Sequence, residues 1–324
     1  MVATTRGRRR ERGRSRLHGG LIELTSPMSD HTDKSSDTRS RLHGRERFGA
    51  CVAGPDAHID LAKAALWLAA DEYPRLDPQI YLGRIESLAE RVRHAHARRP
   101  GPFAALEALR AVLVEQQGFG GDTDDYYDPR NSFLNEVLDR RIGIPISLSV
   151  LWIEVARRAG IALEGVNLPG HFVVRLLDRN RPLLVDPFCG GMVLTAEACE
   201  DRLRQTQGDD ARLSVEELAA ASSKQILVRM LNNLRLIYLE TEDYARALSI
   251  VDRLALIVGD SPKLRRDRGL LFARLQIYGK AWADLAAYLG SDDARRADTE
   301  PMNEEVSLLR EHLERVRHLA AAPN

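Results

Sequence analysis

Apolar residues recur at three- and four-residue spacing along most of this chain, which predicts a largely helical protein. From His58 the run "HIDLAKAALWLAADEYP" places Ile59, Ala62, Ala65, Leu66 and Ala69 on one face, and Pro74 stops it. A second helix is expected from Pro78 to about Ala97, with Ile80, Leu82, Ile85, Leu88 and Val92 inward. A third covers about Pro102 to Gln117, and "GFGGDTDDYYDPRNS" reads as a loop. The segment "RNSFLNEVLDRR" predicts a short helix capped by Asn131 or Ser132, with Phe133, Val137 and Leu138 inward. A structural role in orienting the preceding loop suits the Asn131 amide.

The stretch from Arg140 to Phe188 organises the rest. Pro145 suits a first helical position, where its missing N–H costs nothing. Leu148, Val150, Leu151, Val155 and Ala159 form a stripe that Trp152 and Ile153 widen, so this helix should be buried on most sides. Arg157 and Arg158 in the last turn complement the helix dipole, and Gly160 is a natural stop. The period then changes. "HFVVRLL" puts His171, Val173, Arg175 and Leu177 on one face of a strand and Phe172, Val174 and Leu176 on the other. Turn residues from Asp178 to Arg181 return the chain through "PLLVDP", which should bring His171 to within one or two cross-strand positions of Asp186. A carboxylate beside an imidazole fixes its tautomer and raises its basicity. The alternative is a surface histidine near an aspartate that merely ends a strand.

These residues carry a resemblance. The stretches "YYDPRNSFLNEVLDRRIGIPISLSVLWIEVARRAG", "LPGHFVVRL" and "LLVDPFCGG" resemble the transglutaminase-like, papain-related fold, and within it the bacterial SirB-type branch. The resemblance runs from about His58 to about Leu319. It implies a buried helix, a small antiparallel sheet and a Cys-His-Asp triad, followed by tetratricopeptide-like helices. His171 and Asp186 match two triad positions. Where active relatives read Gly-x-Cys, this chain reads Gly143, Ile144 and Pro145, so the nucleophile position holds a proline. Active relatives set the Cys at a helix N-terminus because that end lowers a thiol's pKa.

Three residues could stand in. Ser147 points about 200° away from position 145, and Ser149 points about 40° off but roughly 6 Å further along the helix. Cys189, three residues past Asp186 in "DPFCGG", has Gly190 and Gly191 beside it to permit unusual backbone geometry. The plain reading is that both serines are small helix residues and Cys189 a small apolar one. No stretch has the ligand spacing of a metal centre, and no cofactor motif is present. Asp124, Asp125 and Asp128 make their loop acidic, which suits a solvated turn or, more weakly, a cation contact.

After Gly191, "MVLTAEACEDRLRQ" reads as a strand end and a helix capped by Thr195, and Thr206 to Arg212 as a polar link. From about Ser222 the chain is helical. "ILVRMLNNLRLIYLETEDYARALSIVDRLALIVGDSP" resembles a tetratricopeptide unit, with Leu231, Leu234 and Tyr238 on its first helix and Ala247 and Leu254 on its second. Ala283 would match Ala247 in the next unit, a spacing of 36 residues. Such helix pairs present a groove, but fewer than about three repeats rarely stand alone, so the module should pack on the first domain. A final helix from Asn303 to about Leu319 caps the stack.

Composition narrows the picture only a little. A formal net charge of +0 gives no hint of nucleic acid or membrane, and no run of about 20 apolar residues exists. Three scattered cysteines, Cys51, Cys189 and Cys199, make no disulfide framework, so a cytoplasmic setting is the expectation. Residues 1–55 read as a disordered tail, with Arg6, Arg8, Arg9, Arg10, Arg12, Arg14 and Arg16 as a basic run. That run could touch nucleic acid, and Met28 could be the true start. The expected architecture is α+β: the tail, a transglutaminase-like domain over residues 56–205, and an all-α tetratricopeptide-like domain over residues 213–324. The expected function is a non-catalytic regulator or adaptor that binds a protein or peptide in the helical groove. The alternative is a hydrolase or acyl-transferase using His171, Asp186 and a displaced nucleophile.

Overall fold

The computed structural model describes residues 43–97, 101–177, 182–208, 218–294 and 304–321. The basic run, Met28 and the turn from Asp178 to Arg181 lie outside them. A helix over residues 43–52 (α1) comes first, inside the stretch expected to lack structure. Its two large apolar residues, Phe48 and Val52, are one turn apart and buried, and the Arg253 guanidinium lies 5.9 Å from the Phe48 ring. A polar surround hid this short amphipathic turn.

Helices α2 (Leu61–Leu68), α3 (Pro78–Ala97) and α4 (Pro102–Arg110) form the front layer, and a π-helical turn over Ala111–Gln116 extends α4. Asp60 caps α2 by accepting the Lys63 N–H at 3.0 Å. Ile85, Leu88 and Val92 of α3 are buried as their spacing predicts, but Ile80 is 62% exposed, while Pro78 in the same first turn is buried. Helix α5 (Leu134–Arg140) starts after Phe133, so neither Asn131 nor Ser132 caps it. Asn131 instead points its amide back into the preceding loop.

Helix α6 (Pro145–Ala159) is the centre of the molecule. Only Ile153, Arg157 and Arg158 escape full burial, and Gly160 ends the helix in the left-handed region at φ 78°. Strands β1 (Gly120–Gly121) and β2 (Ile142–Gly143) make a short parallel pair at its start. The main sheet holds β3 (Leu163–Val166), β4 (Val173–Leu176), β5 (Leu183–Asp186), β6 (Met192–Leu194) and β7 (Ala220–Ala221), in the order β6-β5-β4-β3-β7 and antiparallel throughout. Phe172, Val174 and Leu176 face the main core, while Val173 joins Val166, Leu168, Leu194 and Cys199 on the other side. Helix α7 (Ala196–Gln207) follows, capped by the Thr195 hydroxyl, and takes in the first residues of the expected polar link.

Among the described residues five helices follow: α8 (Ser223–Glu240), α9 (Tyr244–Val258), α10 (Pro262–Arg274), α11 (Tyr278–Leu289) and α12 (Glu304–Ala321). The repeat has a different phase from the one expected. Ala283 is exposed, whereas Ala281, 34 positions after Ala247, is fully buried. Tyr244 and Tyr278 open α9 and α11 at the same spacing, and Glu242 and Gln276 take positive φ at 58° and 60° in the equivalent turns. Gly269 permits this stacking, since a Cβ there would lie 2.8 Å from Leu285 Cγ.

The helical module docks on the first domain, as two short repeats require. One core cluster runs from Phe48 through Trp152 to Leu231 and Leu254. Asp56 accepts the Ser223 and Lys224 N–H groups at 3.0 and 2.8 Å, so the first domain helps cap α8. Asp71 meets Arg253 through both carboxylate oxygens, Nη2 lying 2.6 Å from Oδ1. Among the described residues no helix is long and apolar enough to cross a membrane.

Candidate functional site

The start of α6 is held from two sides. The Ser147 hydroxyl donates to the Asn131 carbonyl at 2.6 Å and accepts the Ile144 N–H at 3.1 Å. Gly143 makes room for it, because a Cβ there would lie 2.7 Å from that oxygen. Ser147 is therefore a fastener for the helix end, fully buried and committed. Ser149 is also fully buried, and its hydroxyl has no hydrogen-bond partner.

Asn131 anchors the loop before it. Its amide donates to Asp122 Oδ2 at 3.0 Å and to the Asp125 carbonyl at 2.8 Å, and its own oxygen accepts from Arg140 at 3.0 Å. Asp122 also accepts the Asp124 and Asp125 N–H groups, and Asp128 pairs with Arg130. The acidic loop is thus a knot of turn-making carboxylates. The Asp125 N–H first, then the Asn131 amide and the Asp124 N–H, hold the Asp122 carboxyl below its usual range against the opposing effect of burial. Such a group stabilises fully above the unfolded pKa of about 4 and loses that contribution as pH falls through the lower native value. Asp122→Asn should therefore cost stability near pH 6, with the gap from the parent closing below about pH 4 in urea titrations.

His171 sits just before β4 and is buried, and Asp186, the last residue of β5, has no exposure. Their Nε2 and Oδ2 atoms are 2.9 Å apart. The β4–β5 register pairs Val174 with Val185, which carries the two side chains together as the alternation predicts. Asp186 Oδ1 accepts the Phe188 and Cys189 N–H groups at 3.0 and 3.4 Å, fixing the carboxylate. Phe188 stands edge-on to His171 with ring centroids 6.4 Å apart, and Tyr126 packs against Phe188 in turn. His171→Ala should lower stability by about 1.5–3 kcal/mol, the cost of losing a charge-assisted buried hydrogen bond, read as a shifted urea midpoint.

A cleft of about 310 Å³ opens over this pair. Pro145 and His171 both line its wall. Tyr126 and Tyr127 form one side, and Arg229, Asn233, Leu236 and Ile237 of α8 the other. With His171 Nε2 bound to Asp186, Nδ1 is the ring nitrogen left for an occupant. Ser147, Ser149 and Cys189 take no part in the wall, and Cys189 is an exposed residue beyond Asp186. Among the described residues no three His, Cys, Asp or Glu side chains gather as metal ligands. Periodicity alone pointed to neither the tyrosine side nor the α8 side. The convergence of α8 on the cleft spans more than fifty residues of sequence and leaves no local pattern.

Comparison with known proteins agrees with the two-module architecture. Residues 79–232 match the model of the Transglutaminase-like superfamily, and residues 234–316 match a Tetratricopeptide repeat model. A UPF0162 protein of Xylella fastidiosa (strain Temecula1) is 40% identical over 261 residues, 80% of this chain and 90% of that protein. The chain belongs to the UPF0162 family. A UPF0162 protein of Vibrio cholerae is 32% identical over 187 residues, 57% of this chain and 69% of the relative. Human F-box only protein 21 is 36% identical over 137 residues, 40% of this chain but 21% of that protein. No solved structure matches. The UPF0162 chain thus has the two modules that its motifs implied, a transglutaminase-like domain and tetratricopeptide repeats, in that order.

Proposed function

We propose that this UPF0162 chain is a non-catalytic transglutaminase-like protein that binds a segment of a partner protein in the cleft between its two modules. The observation that carries this reading is Pro145 beside His171 in the cleft wall. Covalent catalysis needs a nucleophile within about 3 Å of its base, and a pyrrolidine ring offers none. The helical repeats support a protein partner, because stacked helix pairs present extended binding surfaces. Exposed Tyr127 and Leu236, at 61% and 51%, supply apolar contact at the cleft mouth.

A hydrolase or acyl-transferase is the second reading, favoured by the His171–Asp186 pair at 2.9 Å. It would need Cys189, the exposed candidate, to move into the cleft. Site-resolved labelling at neutral pH with thiol- and serine-reactive probes separates the two. The binding reading expects slow labelling of Cys189, Ser147 and Ser149 that is unchanged by His171→Ala. Fast labelling that disappears in that variant would sink it.

A further inference from the structure

Arg229 is unusual among the half-buried arginines. Arg140, Arg158, Arg175, Arg235 and Arg268 each have a carboxylate partner. Among the described residues Arg229 has only neutral ones: the Asn167 side-chain oxygen, the Leu168 carbonyl at 3.1 Å, and the Phe172 ring at 5.8 Å. Burial depresses its basicity, which is the mark of a cation denied water without a counter-ion. It lines the His171 cleft and also a neighbouring cleft of about 510 Å³ between α8 and the end of α9. The second cleft adds Lys224, with apolar Val228 and Val258. Among the described residues no carboxylate lines either cleft. The two clefts share Arg229, and among the described residues their linings hold cations and no anions, in a chain whose net charge is +0.

We infer that these clefts bind an acidic peptide, with one carboxylate paired to Arg229 and another to Lys224. Five residues of α8 separate the two cations, a rise of about 7.5 Å and a turn of about 140° around the helix, so two well-separated carboxylates are needed to meet both. An apolar residue of the same peptide would enter the His171 cleft against Tyr126 and Leu236. A guanidinium already held by Asn167 and Leu168 is pre-organised for a bidentate carboxylate. This inference rests on the cleft-binding reading and names its partner's chemistry.

The test is selection of a random peptide display library on the immobilised full chain, on Arg229→Gln and on Lys224→Gln, with Leu236→Arg as the blocked cleft. Peptides carrying two or more Asp or Glu residues should be enriched on the parent. Their affinity should fall about tenfold or more in Arg229→Gln, be only partly retained in Arg229→Lys, which keeps the charge but loses the fork, and fall less in Lys224→Gln. Raising salt should weaken them. Lys224→Gln keeps the test clean if Arg229→Gln does not fold. Enrichment without acidic bias, lost in Leu236→Arg, would overturn the acidic assignment and leave cleft binding intact. Peptides that bind Leu236→Arg as well as the parent, or no enrichment over blank resin, would overturn both.

Discussion

Asp71→Ala is expected to destabilise the protein by about 3–5 kcal/mol, the range for stranding a buried charge. Arg253 on α9 is 1% exposed, and its Nε already has no partner. Both of its terminal nitrogens rely on Asp71, which the Ser249 hydroxyl also meets. Removing the carboxylate leaves a guanidinium in the seam between the modules with the Ser249 hydroxyl, 2.8 Å from Nη1, and the Phe48 ring as its remaining support. Removing both charges should do less harm. Asp71→Ala combined with Arg253→Met should recover much of the loss, because an apolar pair has no desolvation penalty. Glu72→Ala is the control: Arg246, its partner, is half exposed, so about 1 kcal/mol or less is at stake. Urea titration of the four proteins decides it, and coincident curves for the parent and Asp71→Ala would refute the role given to this pair.

Pro145→Cys is expected to create a reactive thiol. The side chain would sit at the first position of α6, in the same wall as His171, whose Nε2 is held by Asp186. A helix N-terminus and an adjacent imidazole bring thiol pKa values from about 8.5 to between roughly 3.5 and 7.5. Alkylation at pH 6 should therefore be roughly tenfold or more faster than that of an unfolded thiol, and adding His171→Ala should remove much of the gain. The substitution removes the ring at a position where no helical N–H bond is lost, so the helix should persist. Labelling no faster than in denaturant would mean that residue 145 and His171 do not form a working corner.

The parts legible in the sequence were those encoded locally. Helix α6 announced itself through a wide apolar stripe between Pro145 and Gly160, and both ends fall where those residues put them. The His171–Asp186 contact followed from strand alternation and one turn, without long-range information. Strand β3 was missed because four residues containing Glu164 and Gly165 carry no alternation, and Gly165 is there to admit Phe172. Helix α1 was lost in a polar surround, with two large apolar residues as its signal. The repeat phase slipped by two positions because "KAWADL" offers alanine at both 281 and 283, and burial distinguishes them where identity does not. The α8 wall of the cleft was invisible for a different reason. Arg229 and Leu236 become cleft residues only once the helical module docks, and docking is a property of the whole core.

Turnover is the most direct test of the account. The full chain and His171→Ala would each be incubated at length with a complex peptide pool rich in glutamine and lysine side chains. Mass spectrometry would then score hydrolysis, deamidation and cross-linked products. A non-catalytic cleft predicts the same peptide inventory from both proteins. Products formed by the parent and missing with His171→Ala would contradict it, and would mean that the His171–Asp186 pair still serves a reaction.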